Sequence, residues 1–460
     1  HQTNTFFLFL CSKDHFSVLS VYFIMILTIL ALWLLARISQ ATIYYVNPDG
    51  FSSGIGTSWS DAFLSLDEAL TAATSSGDEV WLKGSNTYIP DTTSRSECFE
   101  AWRGIVIYGG FAGNETSPSQ RSNYTVTTAS ILSGDIGVVG DLLDNCYHVL
   151  TYSTQLTLDG VIIEHGYADF DDAVEYETHT NTLHKYGGAL MMSLALSQSD
   201  LVLNNVIFRN NTAINGGALW FKPSASTKAV ITNCRFEHNR AMASEYEGGY
   251  GGAIYEYLLA DVSISNTQFV NNYAEIKGGA VYIDYGAIFS CDECVFLYNV
   301  ADGYGGALFA EDRNSQTSGT YPVITNSRFE RNYAAIHGGA VCLFNTVTIT
   351  VTNVEFATNV CGQYGGAMAF IDADEVNTNC TFRGNLALGN SFTNNFYREQ
   401  AASWGDLDSS LSFDVSAELR KLQTMYTSIY PDTDVWPYDA DDNVVRICYV
   451  MPAINGTSDG

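Results

Sequence analysis

Between Gly187 and Asn385 the hydrophobic and polar positions recur with a long period. Short β-type runs alternate apolar and polar residues: Val230-Ile231-Thr232, Val262-Ser263-Ile264, Val323-Ile324-Thr325 and Thr348-Ile349-Thr350-Val351. They are too short for helices, and their period of two is that of a strand. Each run leads to a phenylalanine, at 208, 236, 269, 296, 329, 356 and 382, and each phenylalanine opens a Phe-x-x-Asn motif. Between these motifs lie seven Gly-Gly-Ala-apolar tetrads, from Gly187-Gly188-Ala189-Leu190 to Gly365-Gly366-Ala367-Met368. The two motifs alternate strictly. The commonest step is 27 residues, as from Gly278 to Gly305, and longer steps carry insertions such as 242–250 and 314–320. A fixed period of this size marks a solenoid.

The pattern specifies which solenoid. A coil of about 27 residues with three short strands, punctuated by glycine pairs, predicts an all-β parallel β-helix in which each strand bonds the coils above and below. Phe208, Phe236, Phe269, Phe296, Phe329, Phe356 and Phe382 then form an interior ladder. Asn stands three residues before the phenylalanine in six of the seven coils (Asn205, Asn233, Asn266, Asn326, Asn353, Asn379), with Glu293 in the seventh. Asn accepts left-handed backbone geometry and can bond its own turn or the next coil, so these residues read as structural.

The alternation of Gly-Gly-Ala-[Ile/Leu/Val] with Phe-x-x-Asn resembles the repeat of polymorphic outer membrane proteins, within the pectin-lyase-like right-handed β-helix superfamily. The N-terminal part, through Tyr44-Tyr45-Val46, Gly56-Thr57-Ser58-Trp59, Gly77-Asp78-Glu79-Val80-Trp81, Tyr108 to Glu115 and Ile131 to Gly137, is similar to the start of secreted β-helix surface proteins. The resemblance implies a right-handed coil and an adhesin or other surface role, and no defined reaction.

Four segments are expected. Residues 1–41 hold an apolar run, Phe16 to Ala36, that reads as a signal peptide cleaved after Ser39-Gln40-Ala41, or as a signal anchor. Either places the rest outside the cytosol by the Sec pathway. Residues 42–155 form an N-terminal cap and the first coils, with a strand at Ile43–Val46. A capping helix is expected at Asp61–Ala73, with Phe63, Leu66, Leu70 and Ala73 on one face and Ser60 or Asp61 as N-cap. Residues 156–389 are the regular coils. Residues 390–460 form an acidic C-terminal segment with a short helix near Val415–Thr427.

Charge narrows the partners. Lys plus Arg number 21 against 50 Asp plus Glu, a formal net charge of −29. That disfavours nucleic acid and anionic membrane surfaces. Extracellular glycans, surface proteins and self-association along the solenoid remain as partners. Asp169, Asp171 and Asp172 open an acidic insertion compatible with Ca²⁺, though no EF-hand spacing is present; no other cofactor is expected. Asn114 and Asn123 stand in glycosylation sequons, usable in a eukaryotic source.

Nine cysteines follow Ala41. Cys234, Cys294 and Cys380 each lie two residues before a ladder phenylalanine. Cys234 and Cys294 are two coils apart, beyond disulfide reach, so the three read as small buried residues.

After each tetrad, alternation turns one residue inward and the next outward. Trp220, Tyr255, Tyr282 and Phe309 are therefore expected as an exposed aromatic stripe able to dock sugar rings or a protein. Arg209, Arg235, Arg328, Arg331 and Arg383 flank the ladder, and the sequence shows no acid recurring opposite them. Neither the paired carboxylates of a hydrolase nor a Ca²⁺-plus-base lyase arrangement stands out. The leading expectation is a non-catalytic surface β-helix protein, adhesin-like or a structural envelope or filament component. The alternatives are a polysaccharide lyase or hydrolase, and a glycan-binding module using the stripe.

Overall fold

The computed structural model describes Met25 and residues 41–398, apart from 51–52, 122–127, 170–183, 193–199, 222–227, 245–247, 258–259, 313–320, 346, 372 and 390–394. The apolar run 16–36 (Met25 aside), the expected 415–427 helix, Asp171, Asp172 and Asn123 lie outside the described residues.

Strands stack into four parallel sheets of 11, 10, 10 and 8 strands. One coil shows the plan: a long strand Asp261–Ser265, the phenylalanine strand Gln268–Val270, a two-residue strand Tyr273–Ala274 and the post-glycine strand Val281–Ile283. Every neighbour within a sheet is the equivalent strand of an adjacent coil. Parallel crossovers of this kind are right-handed, so the molecule is a right-handed parallel β-helix.

The three-strand coil expected above is thus a four-strand coil. A strand of two residues has no alternation to read, which is why the sequence pattern hides it. Its place is set by a left-handed corner on either side of the phenylalanine strand. The first corner is the Asn ahead of it, such as Asn233 (φ 56°) and Asn266 (φ 44°), with Glu293 (φ 54°) as the stand-in. The second is the residue before the motif's Asn: Asn210, His238, Asn271, Tyr298, Arg331 and Thr358, all with φ between 52° and 59°. Such geometry strains Tyr, Arg and Thr and persists because the stack over-determines it.

The ladder is as expected. Phe208, Phe236, Phe269, Phe296, Phe329, Phe356 and Phe382 pair in unbroken register. Neighbouring rings are parallel within 12°, with centroids 4.4–5.1 Å apart. Beside the rings runs a second interior ladder, made by the Asn of Phe-x-x-Asn. Asn239 Nδ2 donates to Phe208 O of the coil behind (2.9 Å) and to Asn272 Oδ1 of the coil ahead (3.0 Å). Asn272, Asn299, Asn332 and Asn359 repeat both bonds. A buried amide is tolerated only when satisfied, and here each coil satisfies the last.

The glycine pair has two separate causes. The first glycine of each tetrad is left-handed, as at Gly278 (φ 66°). The second is a close approach: a Cβ on Gly279 would lie 2.0 Å from Gly306 O and 2.6 Å from Val300 O. The Ala that follows is buried in every described coil.

The capping helix exists but starts later, at Leu66–Ala72, with Ser65 as N-cap in a capping box with Glu68. Residues ahead of it are drawn into the first coil instead. Phe63 bridges Val46, its N–H donating to Tyr45 O and its O accepting from Asn47 N–H. Leu66, Ala69 and Ala73 enter the same core as Val46, Leu82 and Phe99, closing the first coil as a lid.

Cys234 and Cys294 are buried, and Cys380 is half-exposed on the last phenylalanine-sheet coils. Their column explains the choice of residue. The Cys234 thiol, Thr267 hydroxyl, Cys294 thiol and Ser327 hydroxyl each donate to the carbonyl two residues back, at 3.2, 2.8, 3.3 and 2.6 Å. Small size is what the position requires, since Val206 and Val354 fill it in other coils without a donor. The one disulfide among the described residues joins Cys98 to Cys146, with Cα atoms 6.2 Å apart.

Candidate binding surface on the post-glycine sheet

The post-glycine sheet carries the residues singled out as an aromatic stripe. Trp220, Tyr255, Tyr282 and Phe309 do stand in one column, in register from coil to coil. They do point away from the bore. They are not exposed: their fractional exposures are 4, 5, 0 and 1%. The expected stripe is a second core outside the barrel.

The cover comes from the residue just before each Gly-Gly pair. The left-handed glycine turns the chain so that this side chain lies over the stripe residue of the next coil. Tyr186 stacks on Trp220 (centroids 4.2 Å, 9°), and Tyr250 on Tyr282 (5.0 Å, 22°). The Lys277 ammonium sits 4.7 Å from the Phe309 ring centroid, a cation–π contact. Alternation alone decides which way a side chain leaves the sheet, not what covers it.

The polar end of the stripe is also covered. The Tyr282 hydroxyl donates to Asp284 Oδ2 (3.1 Å) and to Glu311. Lys277 Nζ donates to both Glu311 oxygens, at 3.0 and 3.1 Å. Asp284 and Glu311 are buried, so this pairing compensates charge that would otherwise be costly.

The column that does the covering forms the outer layer. Tyr186, Asn215, Tyr250, Lys277, Tyr304, His337 and Tyr364 are linked by single parallel bridges, one per coil. All but Asn215 are half-buried. Sequence reasoning passed over this column, although its signal is visible as the position preceding every Gly-Gly.

The arginines flanking the ladder meet acids after all. Arg209 Nε donates to Glu164 Oε2 at 2.5 Å, Arg235 pairs with Glu237, Arg328 with Glu330 (2.8 Å), and Arg383 with Glu355. Register brings together acids that are far apart in sequence, as Arg328 faces Glu355. All are outward-facing ion pairs of the phenylalanine sheet; those of Arg235, Arg328 and Arg383 are solvent-screened and of small energetic weight, whereas Glu164 is buried beneath Arg209.

Of the acidic insertion only Asp169 is described, and its carboxylate is engaged by Arg95 Nη2 at 2.6 Å. Arg95 also donates to Asn145 O and Tyr167 O and lies over the Tyr147 ring, tying the disulfide region to the first regular coil. Next to it, burial pushes His148 down to about 3, and its Nδ1–H donates to Gly187 O at 3.0 Å. Among the described residues no group of three or more His, Cys, Asp or Glu is placed to hold a metal.

Asn114 is exposed in a turn organised by Glu115. Burial alone would raise the Glu115 carboxyl, but N–H donors from Ala112, Gly113 and Asn114 hold it below the usual range.

Inside the bore, Glu256 takes the place in the post-glycine sheet held by Phe221 and Ile283 in the adjacent coils. It is fully buried, and neither carboxyl oxygen has a hydrogen-bond partner among the described residues. Burial, and secondarily the nearby Asp261 charge, push it well above the usual carboxylate range.

Residues 205–222 match the model of the Chlamydia polymorphic membrane protein repeat. They run from the left-handed Asn205 through Phe208 and Asn211 to the tetrad at Gly216 and the stripe residue Trp220. This stretch is similar to the polymorphic membrane protein repeat. No curated protein matches the chain. The corner Asn, ring, ladder Asn and glycine pair of the matched stretch recur in the coils that follow, with Glu293 for the corner Asn in one; the stretch takes in the strands Ile207–Arg209, Thr212–Ala213 and Leu219–Phe221 and leaves out the coil's long strand. The surface column varies within that frame.

Proposed function

We propose that this is a non-catalytic, exported surface protein that binds other molecules through the long side of its β-helix, as an adhesin does. The observation that carries the reading is the match of residues 205–222 to a membrane protein repeat, with their Phe, Asn and glycine-pair features recurring in register through the other coils. The repeat conserves the stack and leaves the outer columns free to vary, as a binding scaffold requires. The Cys98–Cys146 disulfide suits an oxidising compartment outside the cytosol. Export by the Sec pathway and glycosylation at Asn114 in a glycosylating source belong to the same reading.

The test is direct. Antibody against the coils should label intact cells of the source organism, and beads coated with the purified chain should attach to a partner cell surface. Labelling that appears only after permeabilisation overturns the surface assignment, and coated beads that attach no better than albumin-coated ones overturn the adhesive role.

A further inference from the structure

The four sheets differ in what they present to solvent. The phenylalanine sheet is lined with ion pairs, and the post-glycine sheet is covered by its outer aromatic layer. Tyr273, Val300, Tyr333 and Val360 of the two-residue sheet are buried as well. The sheet of long strands is different. Its register stacks one outward column from Val106 to Val376 that contains Val, Thr and Ser and no other residue type. Val202, Val230, Val323 and Val376 in this column are 39–52% exposed, and Ile288 beside it is 59% exposed. Single exposed valines are ordinary, but a continuous row of them marks a surface that meets something.

We propose that this face is where two copies of the chain pack against each other, as a two-fold dimer of β-helices. The inference goes beyond the surface-binding reading and does not depend on it. Charge is the first observation that selects a second copy. At a formal net charge of −29 two copies repel wherever their acids face one another. Beside the valine column the acids are already engaged: Asp159 with Arg121 (3.2 Å), Asp261 with Lys228 (3.7 Å), and Asp292 with the Thr325 hydroxyl (2.5 Å) and the Asn326 amide (2.7 Å). This is the face on which identical chains can approach.

The repeat is the second observation. Columns of side chains recurring at about 4.8 Å interdigitate with a surface of the same spacing, and another parallel β-stack has that spacing. A two-fold axis lying in the interface sets the column against its own copy, so β-branched side chains meet β-branched side chains along its length. From Val106 to Val376 the face measures roughly 40 Å along the axis by about 15 Å along the strands. That is about 600 Å² a side, at the lower end for specific interfaces, and it fits a dimer that dissociates in roughly the micromolar range.

The experiment is sedimentation velocity of the full chain from about 1 µM to about 100 µM. The expected result is a monomer at the low end and a dimer at the high end. Val230→Lys combined with Val323→Lys places two lysines of each copy in the interface and should weaken dimerisation by about a hundredfold or more. Val138→Lys, at an exposed residue outside the sheet, should leave it unchanged. Should the lysines disturb the strands, Val230→Thr combined with Val323→Thr keeps the β-branch and removes a methyl group, and about a tenfold weakening is expected. The apolar run 16–36 is common to every variant, so association through it survives these substitutions. A wild-type chain that stays monomeric throughout, association that survives both double variants, or an equal loss in Val138→Lys would each overturn the interface.

Discussion

Asn272 Nδ2 donates to Asn299 Oδ1 at 2.9 Å across the gap between two coils, with both residues fully buried. The same nitrogen donates to Phe236 O (3.0 Å), and Asn272 Oδ1 accepts from Asn239. One side chain therefore ties three coils together. Asn272→Ala is expected to cost about 3 kcal/mol or more, because it strands buried partners on both sides. Asn385→Ala, at the last described rung, should cost less. Thermal unfolding of the two variants side by side measures this; equal losses would show that the ladder acts through local turns.

Gly279 and Gly140 separate space from conformation. A Cβ at Gly279 meets two backbone oxygens that cannot move without shifting a neighbouring coil, whereas nothing lies within 4 Å of a Cβ at Gly140, whose φ is +85°. Gly279→Ala should destabilise by about 3 kcal/mol. Gly140→Ala should cost only about 1 kcal/mol, the penalty of a left-handed alanine. Urea midpoints of the two variants check the ranking.

The covered stripe predicts a stability effect. Tyr282 is fully buried and shares its hydroxyl with Glu311 and Asp284. Tyr282→Ala should cost about 3–5 kcal/mol. Tyr282→Phe should cost about 1–3 kcal/mol, since it strips a buried carboxylate of a donor. A melting temperature unchanged in Tyr282→Ala would show the ring to be exposed after all.

Glu256 and His148 set opposite arms of the pH profile. The Glu256 carboxyl is raised when folded, so its contribution is full below the unfolded value of about 4.5 and is lost as pH climbs toward the folded value. His148 is lowered to about 3, so its contribution is full above about 6.5 and is lost as pH falls toward 3. Each arm has a slope of up to about 1.4 kcal/mol per pH unit. Together the two groups give a plateau between about pH 4.5 and 6.5. Glu256→Gln should flatten the alkaline arm and leave the acid arm; melting curves from pH 4 to 9 test it, and an unchanged alkaline slope would place Glu256 in contact with water.

The Cys98–Cys146 disulfide closes a 48-residue separation beside the first regular coil. Cys98→Ala together with Cys146→Ala should cost about 2–4 kcal/mol. Non-reducing peptide mapping should recover the two cysteines on linked peptides.

The period of the motifs was enough to put Phe236, Phe269 and Phe296 in one column, because a stacked coil turns equal sequence steps into neighbours. It also placed Asn233 and Asn266 at left-handed corners and kept Cys234 and Cys294 apart. What the sequence determined is this repeat along the axis and the inward or outward sense of each strand residue. The tertiary structure decided what lies over the outward residues. Trp220 and Tyr282 are covered by Tyr186 and Tyr250, which reach across from the preceding coil because a left-handed glycine redirects the chain there. Alternation is a property of one strand, while burial depends on every chain segment within reach. For that reason the stripe's cover, the acids opposite Arg209 and Arg328, and the dry surroundings of Glu256 emerged only when the coils were stacked.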